Sequence, residues 1–208
     1  YADRVYQINL AIAGIAVGTV SLPVLSKAFK MKNIKKISDI QNKSFELSLL
    51  FSIPASFGLI LASNEIVNAL FGYGSFSLND VEMTADALKF FGYGVPAFAL
   101  IKVLSNFFFA RDNTKTPFYI SIFIVLLNIL ISVIFFNKIG FVIIPIATSI
   151  STWVGIFIYI YLLNSKKILL LRYQLMINFI KILISVIVMS SILLISLDTF
   201  ANYLDYSY

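Results

Sequence analysis

The chain has 208 residues, 60% of them hydrophobic and only 12% charged, against ~25% charged in a soluble globular chain. With a mean hydropathy of +0.92, this excludes a soluble domain built on one large core and points to an integral membrane protein. Cysteine and histidine are both absent, which excludes disulfides, thiolate zinc sites and histidine-based acid–base or Ser-His-Asp chemistry.

Six apolar segments, near 4–26, 46–71, 88–110, 118–137, 140–163 and 174–197, each approach the ~20 residues a helix needs to cross a bilayer. They predict an all-α, polytopic bundle of six transmembrane helices joined by short polar loops. There is no start methionine or signal-peptide pattern, and the chain opens inside a helical pattern. It is therefore expected to be a piece of a longer chain.

The first segment presents Arg4, Gln7, Ala11, Gly14, Gly18 and Ser21 at spacings of three and four. Gly14 and Gly18 form a small-xxx-small pair that lets another helix approach closely, a packing role that does not account for Arg4. The lysine-rich stretch that follows, Lys27 to Lys43, has Ile34, Ile37 and Ile40 every third residue. It reads either as a short helix lying on anionic lipid or as a solvated loop. The second segment carries Ser48, Ser52 and Ser56 in one row, with Pro54 as a kink point and Glu46 and Glu65 near its two ends.

After the loop Phe71 to Ser75, Ser77 and Asp80 match an N-cap with an acidic first turn. A helix from there to Ala110 would be ~50 Å long, more than the ~30 Å apolar core of a bilayer. Gly92, Gly94 and Pro96 are expected to break or kink it. Beyond the break, Lys102 and Asn106 share one helix face. Lys102 is ~14 Å along the helix from Arg111, too deep for easy snorkelling. A cation there costs upward of ~3 kcal/mol unless it faces water or a partner. It is expected either to line a polar path or to pair with a carboxylate on a helix that this sequence does not include.

The fourth and fifth segments supply Asn128, Ser132, Thr148, Ser149, Thr152 and Gly155, residues that mostly join helices by hydrogen bonds. The sixth has Gln174, Asn178, Lys181 and Ser185 on one face, with Lys181 able to snorkel. The tail, with Asp198, Tyr203, Asp205, Tyr206 and Tyr208, suits an outer interface.

Basic residues set the orientation. Eleven lie in the first, third and fifth connections: Lys27, Lys30, Lys32, Lys35, Lys36, Lys43, Arg111, Lys115, Lys166, Lys167 and Arg172. Only Lys89 and Lys138 fall on the other side. The positive-inside rule puts the eleven in the cytoplasm, with both ends of the chain outside. This asymmetry accounts for the net charge of +6 without a nucleic-acid partner. No Walker-type loop, carboxylate pair or metal cluster is legible, so the chain does not read as an enzyme.

Two blocks carry a family resemblance. The first is Tyr1-Ala2-Asp3-Arg4-Val5-Tyr6-Gln7, then Gly14 to Thr19 and Leu22-Pro23. The second is Pro96 to Leu100, Lys102-Val103-Leu104, Phe108-Phe109-Ala110-Arg111 and Thr114-Lys115-Thr116-Pro117. Together, in this order and separation, they resemble the MurJ/MviN family of lipid II flippases, within the superfamily of multidrug, oligosaccharidyl-lipid and polysaccharide exporters. The resemblance covers most of the chain and weakens beyond about residue 165. It implies one lobe of a two-lobe transporter, from the family's eighth helix through its thirteenth, partnered by an N-terminal lobe of the same chain.

The implied activity is alternating access that moves lipid II, an undecaprenyl-pyrophosphate-linked peptidoglycan precursor, across the bacterial inner membrane. Arg4 lies 22 residues before Ser26, ~33 Å along a straight helix and so at the outer interface, unless a bend brings it inward. The resemblance instead assigns the Asp3-Arg4 pair to the cavity, where Arg4 and Lys102 would meet the lipid-linked pyrophosphate. No cofactor is implied, but Asn128, Ser132 and Thr148 form a candidate site for Na⁺ as coupling ion. Family members can carry a carboxylate near that position; Ser132 has none. Two other readings stay open: a multidrug or organic-cation antiporter, whose cavity would need acidic residues, and a non-transporting membrane scaffold.

Overall fold

The computed structural model describes residues 1–199; the expectation for Tyr203, Asp205, Tyr206 and Tyr208 lies outside the described residues. Seven α-helices follow one another: α1 Ala2–Lys30, α2 Ile34–Leu61, α3 Ser63–Phe71, α4 Leu78–Phe109, α5 Lys115–Ile139, α6 Ile143–Ser165 and α7 Tyr173–Thr199. All but α3 are long enough to span a bilayer. Helical structure runs almost unbroken from Lys115 to Ser165, but this is two spans. Gly140, at φ +77, reverses the chain, and the Asn128 amide of α5 donates to Thr148 Oγ1 of α6 at 2.8 Å. That backbone angle strains any residue with a Cβ.

The hub is α4, which packs against α1, α2, α3, α5 and α6. It is a single 32-residue helix, so the expected break at Gly92–Pro96 does not occur. The reason lies in neighbouring helices. Pro96 has no N–H for the Gly92 carbonyl four residues earlier; Ser56 Oγ of α2 donates to that carbonyl instead, at 2.7 Å. Two more carbonyls of the same region are met from α6, Phe90 O by Ser149 Oγ at 2.8 Å and Tyr93 O by Trp153 Nε1 at 3.0 Å. The expected N-cap is present as a full capping box: Ser77 Oγ accepts from the Asp80 amide, and the Asp80 carboxylate accepts from the Ser77 amide.

The lysine-rich stretch is neither a surface helix nor a solvated loop. Only residues 31–33 interrupt the helices. Asn33 Oδ1 caps α2 by accepting from the Lys36 amide at 3.0 Å, and Ile37 is buried in the main core with Leu25, Ala28 and Leu163. The first three turns of α2 are thus packed helix. The expected 46–71 segment is likewise two helices, α2 and α3, parted at Ala62.

Three helices end alike. Lys32, Asp112 and Lys167 adopt positive φ after α1, α4 and α6. In each case the next residue's N–H reaches back five positions to a carbonyl of the last turn, as Asn33 N does to Ala28 O at 3.1 Å. These Schellman closures gather the basic connections at one end of the bundle.

Candidate functional site

A groove of about 440 Å³ opens between α1, α4 and the start of α5. Close helix approach forms its floor. A Cβ on Gly14 would lie 3.1 Å from Ala99 Cα, and one on Gly18 would lie 2.8 Å from Asn106 Nδ2. A side chain at either position would crowd this contact, so the two glycines let the helices approach closely. Asn106 is buried and donates to Gly18 O at 2.8 Å, a hydrogen bond between helices inside the apolar region. Lys102, one turn earlier on the same face of α4, is exposed in the groove.

No carboxylate lines the groove. The ion pair found among the described residues is Arg172 with Asp39, near the start of α2, so Lys102 has no carboxylate partner among the described residues. Thr19, Ser105 and Ser121 add hydroxyls around it. Thr19 and Ser121 had not been legible as lining residues; each is a lone hydroxyl in an apolar run, and only the contact between α1, α4 and α5 brings them to Lys102.

Arg4 stands elsewhere. It is exposed in the first turn of α1, and Nη1 donates to Gln7 Oε1 at 3.5 Å while the Gln7 amide donates to the Asp3 carboxylate. Tyr6, two residues on, stacks on Phe91 of α4 at 4.6 Å. Arg4 lies 14 residues before Gly18, which is roughly 20 Å along the helix axis. Arg4 and Lys102 therefore occupy different depths and are not brought to one point. A π-helical segment, Ala11–Ala16, lies between them; such segments often mark functional positions in helices.

Asn128, Ser132 and Thr148 do come together. Besides the Asn128–Thr148 bond, Ser132 Oγ donates to Asn128 Oδ1 at 3.4 Å, and Thr148 Oγ1 donates to Ile144 O at 2.8 Å. The set is a chain of neutral groups that satisfy one another. No cluster of acidic residues capable of holding a metal occurs among the described residues. A Na⁺ ion would have to compete with these hydrogen bonds without a carboxylate, so the residues fit the ion poorly.

A model of the family described as "Lipid II flippase MurJ" matches residues 1–208. The chain is 38% identical over 153 residues to a probable lipid II flippase MurJ of Rickettsia prowazekii, covering 74% of this chain and 30% of that protein. It is 37% identical over 155 residues to one of Rhizobium tropici, covering 74% and 29%. A solved structure of lipid II flippase MurJ in an inward closed conformation superimposes with a TM-score of 0.79 at 30% identity, over 94% of this chain and 40% of that one. The chain thus spans about a third of the length of the curated relatives it matches. With the helix order, the Lys102 groove and the match along all 208 residues, the chain belongs to the MurJ family of lipid II flippases.

Proposed function

We propose that this chain forms part of one lobe of a transporter that moves lipid II across the bacterial inner membrane by alternating access. The observation that carries this reading is Lys102, a cation exposed in a membrane-depth groove with no carboxylate lining it. Such a charge is costly in lipid and is offset by an anion. The pyrophosphate of a lipid-linked sugar is a dianionic partner of that kind, and Lys serves it as a point charge. Arg4, with Asp3 beside it, is a second cationic station at another depth, and its planar fork suits the same group. The π-segment of α1, Ala11–Ala16, lies between the two stations along the helix and contributes Gly14 and Ile15 to the groove. The opposite wall belongs to the rest of the transporter.

An antiporter of organic cations would place acidic side chains in the cavity, and this groove has none. The test is complementation of a strain depleted of its own flippase, using the intact protein with membrane levels checked by blot. Lys102→Ala is expected to abolish growth and Lys102→Arg to be mild. Arg4→Ala is expected to be more harmful than Arg4→Lys. Growth at normal levels with Lys102→Ala, Arg4→Ala and the double variant would sink the reading in favour of a scaffold.

A further inference from the structure

We infer that the basic end of the bundle carries a binding site for the phosphate headgroup of an anionic phospholipid, separate from the Lys102 groove. The site is a cavity of about 400 Å³ lined by Arg111, Asn113, Lys166, Phe108 and Ile168. It is built where the connections after α4 and α6 meet. Its two cations are held by aromatic rings: the Arg111 guanidinium lies 5.4 Å from the Phe29 centroid and the Lys166 ammonium 5.6 Å from that of Phe108. A ring face orients a cation while leaving its N–H groups free.

Among the described residues neither side chain pairs with a carboxylate. Asp112, next to Arg111, does not line the cavity. Asn113 is fixed by Thr116, whose amide donates to Asn113 Oδ1 at 3.1 Å and whose hydroxyl accepts from Nδ2 at 3.0 Å. One Asn113 N–H remains for a ligand oxygen.

Basic residues after a helix also offset the helix dipole, so the magnitudes decide. The C-terminal ends of α4 and α6 contribute about half a negative charge each. That offsets one of the two cations and leaves the other, while Lys167 and Asp112, both adjacent but outside the lining, cancel each other. A net positive pocket remains. Its depth selects the source of the anion. Phe118 and Tyr119, at the start of α5, are 62% and 67% exposed, as aromatic side chains at a membrane interface are. Arg111 and Asn113 of the pocket lie in the connection immediately before them, and Asn113 is bonded to Thr116 at the start of α5, so a lipid whose phosphate is held there can run its acyl chains along the exposed face of α5. Basic pockets between transmembrane helices at the cytoplasmic side are suited to such headgroups.

The site is tested on the intact protein in detergent, by native mass spectrometry during titration with phosphatidylglycerol. Phosphatidylcholine is the uncharged control, and glycerol 3-phosphate the soluble-phosphate arm. Phosphatidylglycerol is expected to bind more tightly than phosphatidylcholine and to resist displacement by glycerol 3-phosphate. Arg111→Gln with Lys166→Gln is expected to weaken it by roughly fivefold per side chain. Arg111→Lys with Lys166→Arg should retain most of the affinity. Lys35→Gln with Lys36→Gln, which removes the same charge from the same end but outside the pocket, should leave it unchanged. Unchanged binding in the Arg111/Lys166 double variant overturns the proposal. So does an equal loss in the Lys35/Lys36 variant, which would mean diffuse attraction, or displacement by glycerol 3-phosphate at equal concentration, which would mean a soluble ligand.

Discussion

Pro96 removes a hydrogen-bond donor from the middle of the most buried span, and Ser56 supplies the replacement to Gly92 O. This makes the two residues energetically dependent although they lie on different helices. Ser56→Ala leaves the Gly92 carbonyl without a donor in a buried setting, at a cost of about 1–3 kcal/mol. Pro96→Ala returns the N–H to α4, so the same Ser56→Ala change in that background is expected to cost well under about 1 kcal/mol. Denaturant unfolding of the four proteins in detergent, followed by circular dichroism, measures this coupling. Equal costs in both backgrounds would show that Ser56 does not substitute for the missing amide. The comparison also explains why the helix continues through Gly92–Pro96 without a break. Glycine and proline in a row do weaken a helix by themselves, but the carbonyl they free is met by a hydroxyl 36 positions away in sequence, which no local reading of residues 92–96 contains.

At the scale of elements, the connection from α6 to α7 is held by the first turns of α2. Gln41, fully buried, donates to Ile168 O and accepts from Leu170 N, both at 3.0 Å. Asn42 repeats the pattern one step on, donating to Leu170 O at 2.8 Å and accepting from Arg172 N at 2.9 Å. Two side-chain amides thus stand in for a strand partner, and the Asp39–Arg172 ion pair closes the end. Gln41→Ala removes both bonds at a buried site and is expected to cost about 2–3 kcal/mol. Trypsin cleavage after Lys166, Lys167 and Arg172 should become faster; cleavage at the parent rate would show that the clasp does not hold the connection. The six spans were legible because hydropathy over ~20 residues is a robust signal, and the capping box of α4 because it is local. The start of α2 was not, since its buried face includes Gln41, Ser44 and Ser48, polar residues that hide a helical period. For the candidate site, Lys102 stood out as a single charge in an apolar run. Residue count along a straight α1 also put Arg4 at the outer end, against the cavity position the resemblance implied; the register of α1 against α4 at Gly14 and Gly18 is what fixes its distance from Lys102.

For the whole molecule, charge and fold make one statement about orientation. The connections after α1, α4 and α6 lie at one end and, together with the helix turns that flank them, hold eleven basic residues, while Lys138 closes α5 at the opposite end and Lys89 lies in the first half of α4. Three Schellman closures at the basic end keep those connections short, so the lysines stay close to the spans, where the positive-inside rule counts them. The basic end is therefore expected in the cytoplasm, and the turn between α3 and α4, which contains Ser75, outside. This orientation also sets the sense of the groove: Lys102 lies nearer the cytoplasmic end and Arg4 nearer the outer one. Single cysteines in the intact protein test it directly, since this chain contributes none of its own. On intact cells an impermeant thiol reagent should label Ser75→Cys, and should label Lys35→Cys and Lys115→Cys only after the membrane is permeabilised. Labelling at 35 and 115 in intact cells, with 75 protected, would invert the orientation and move the Arg111–Lys166 pocket to the outer leaflet.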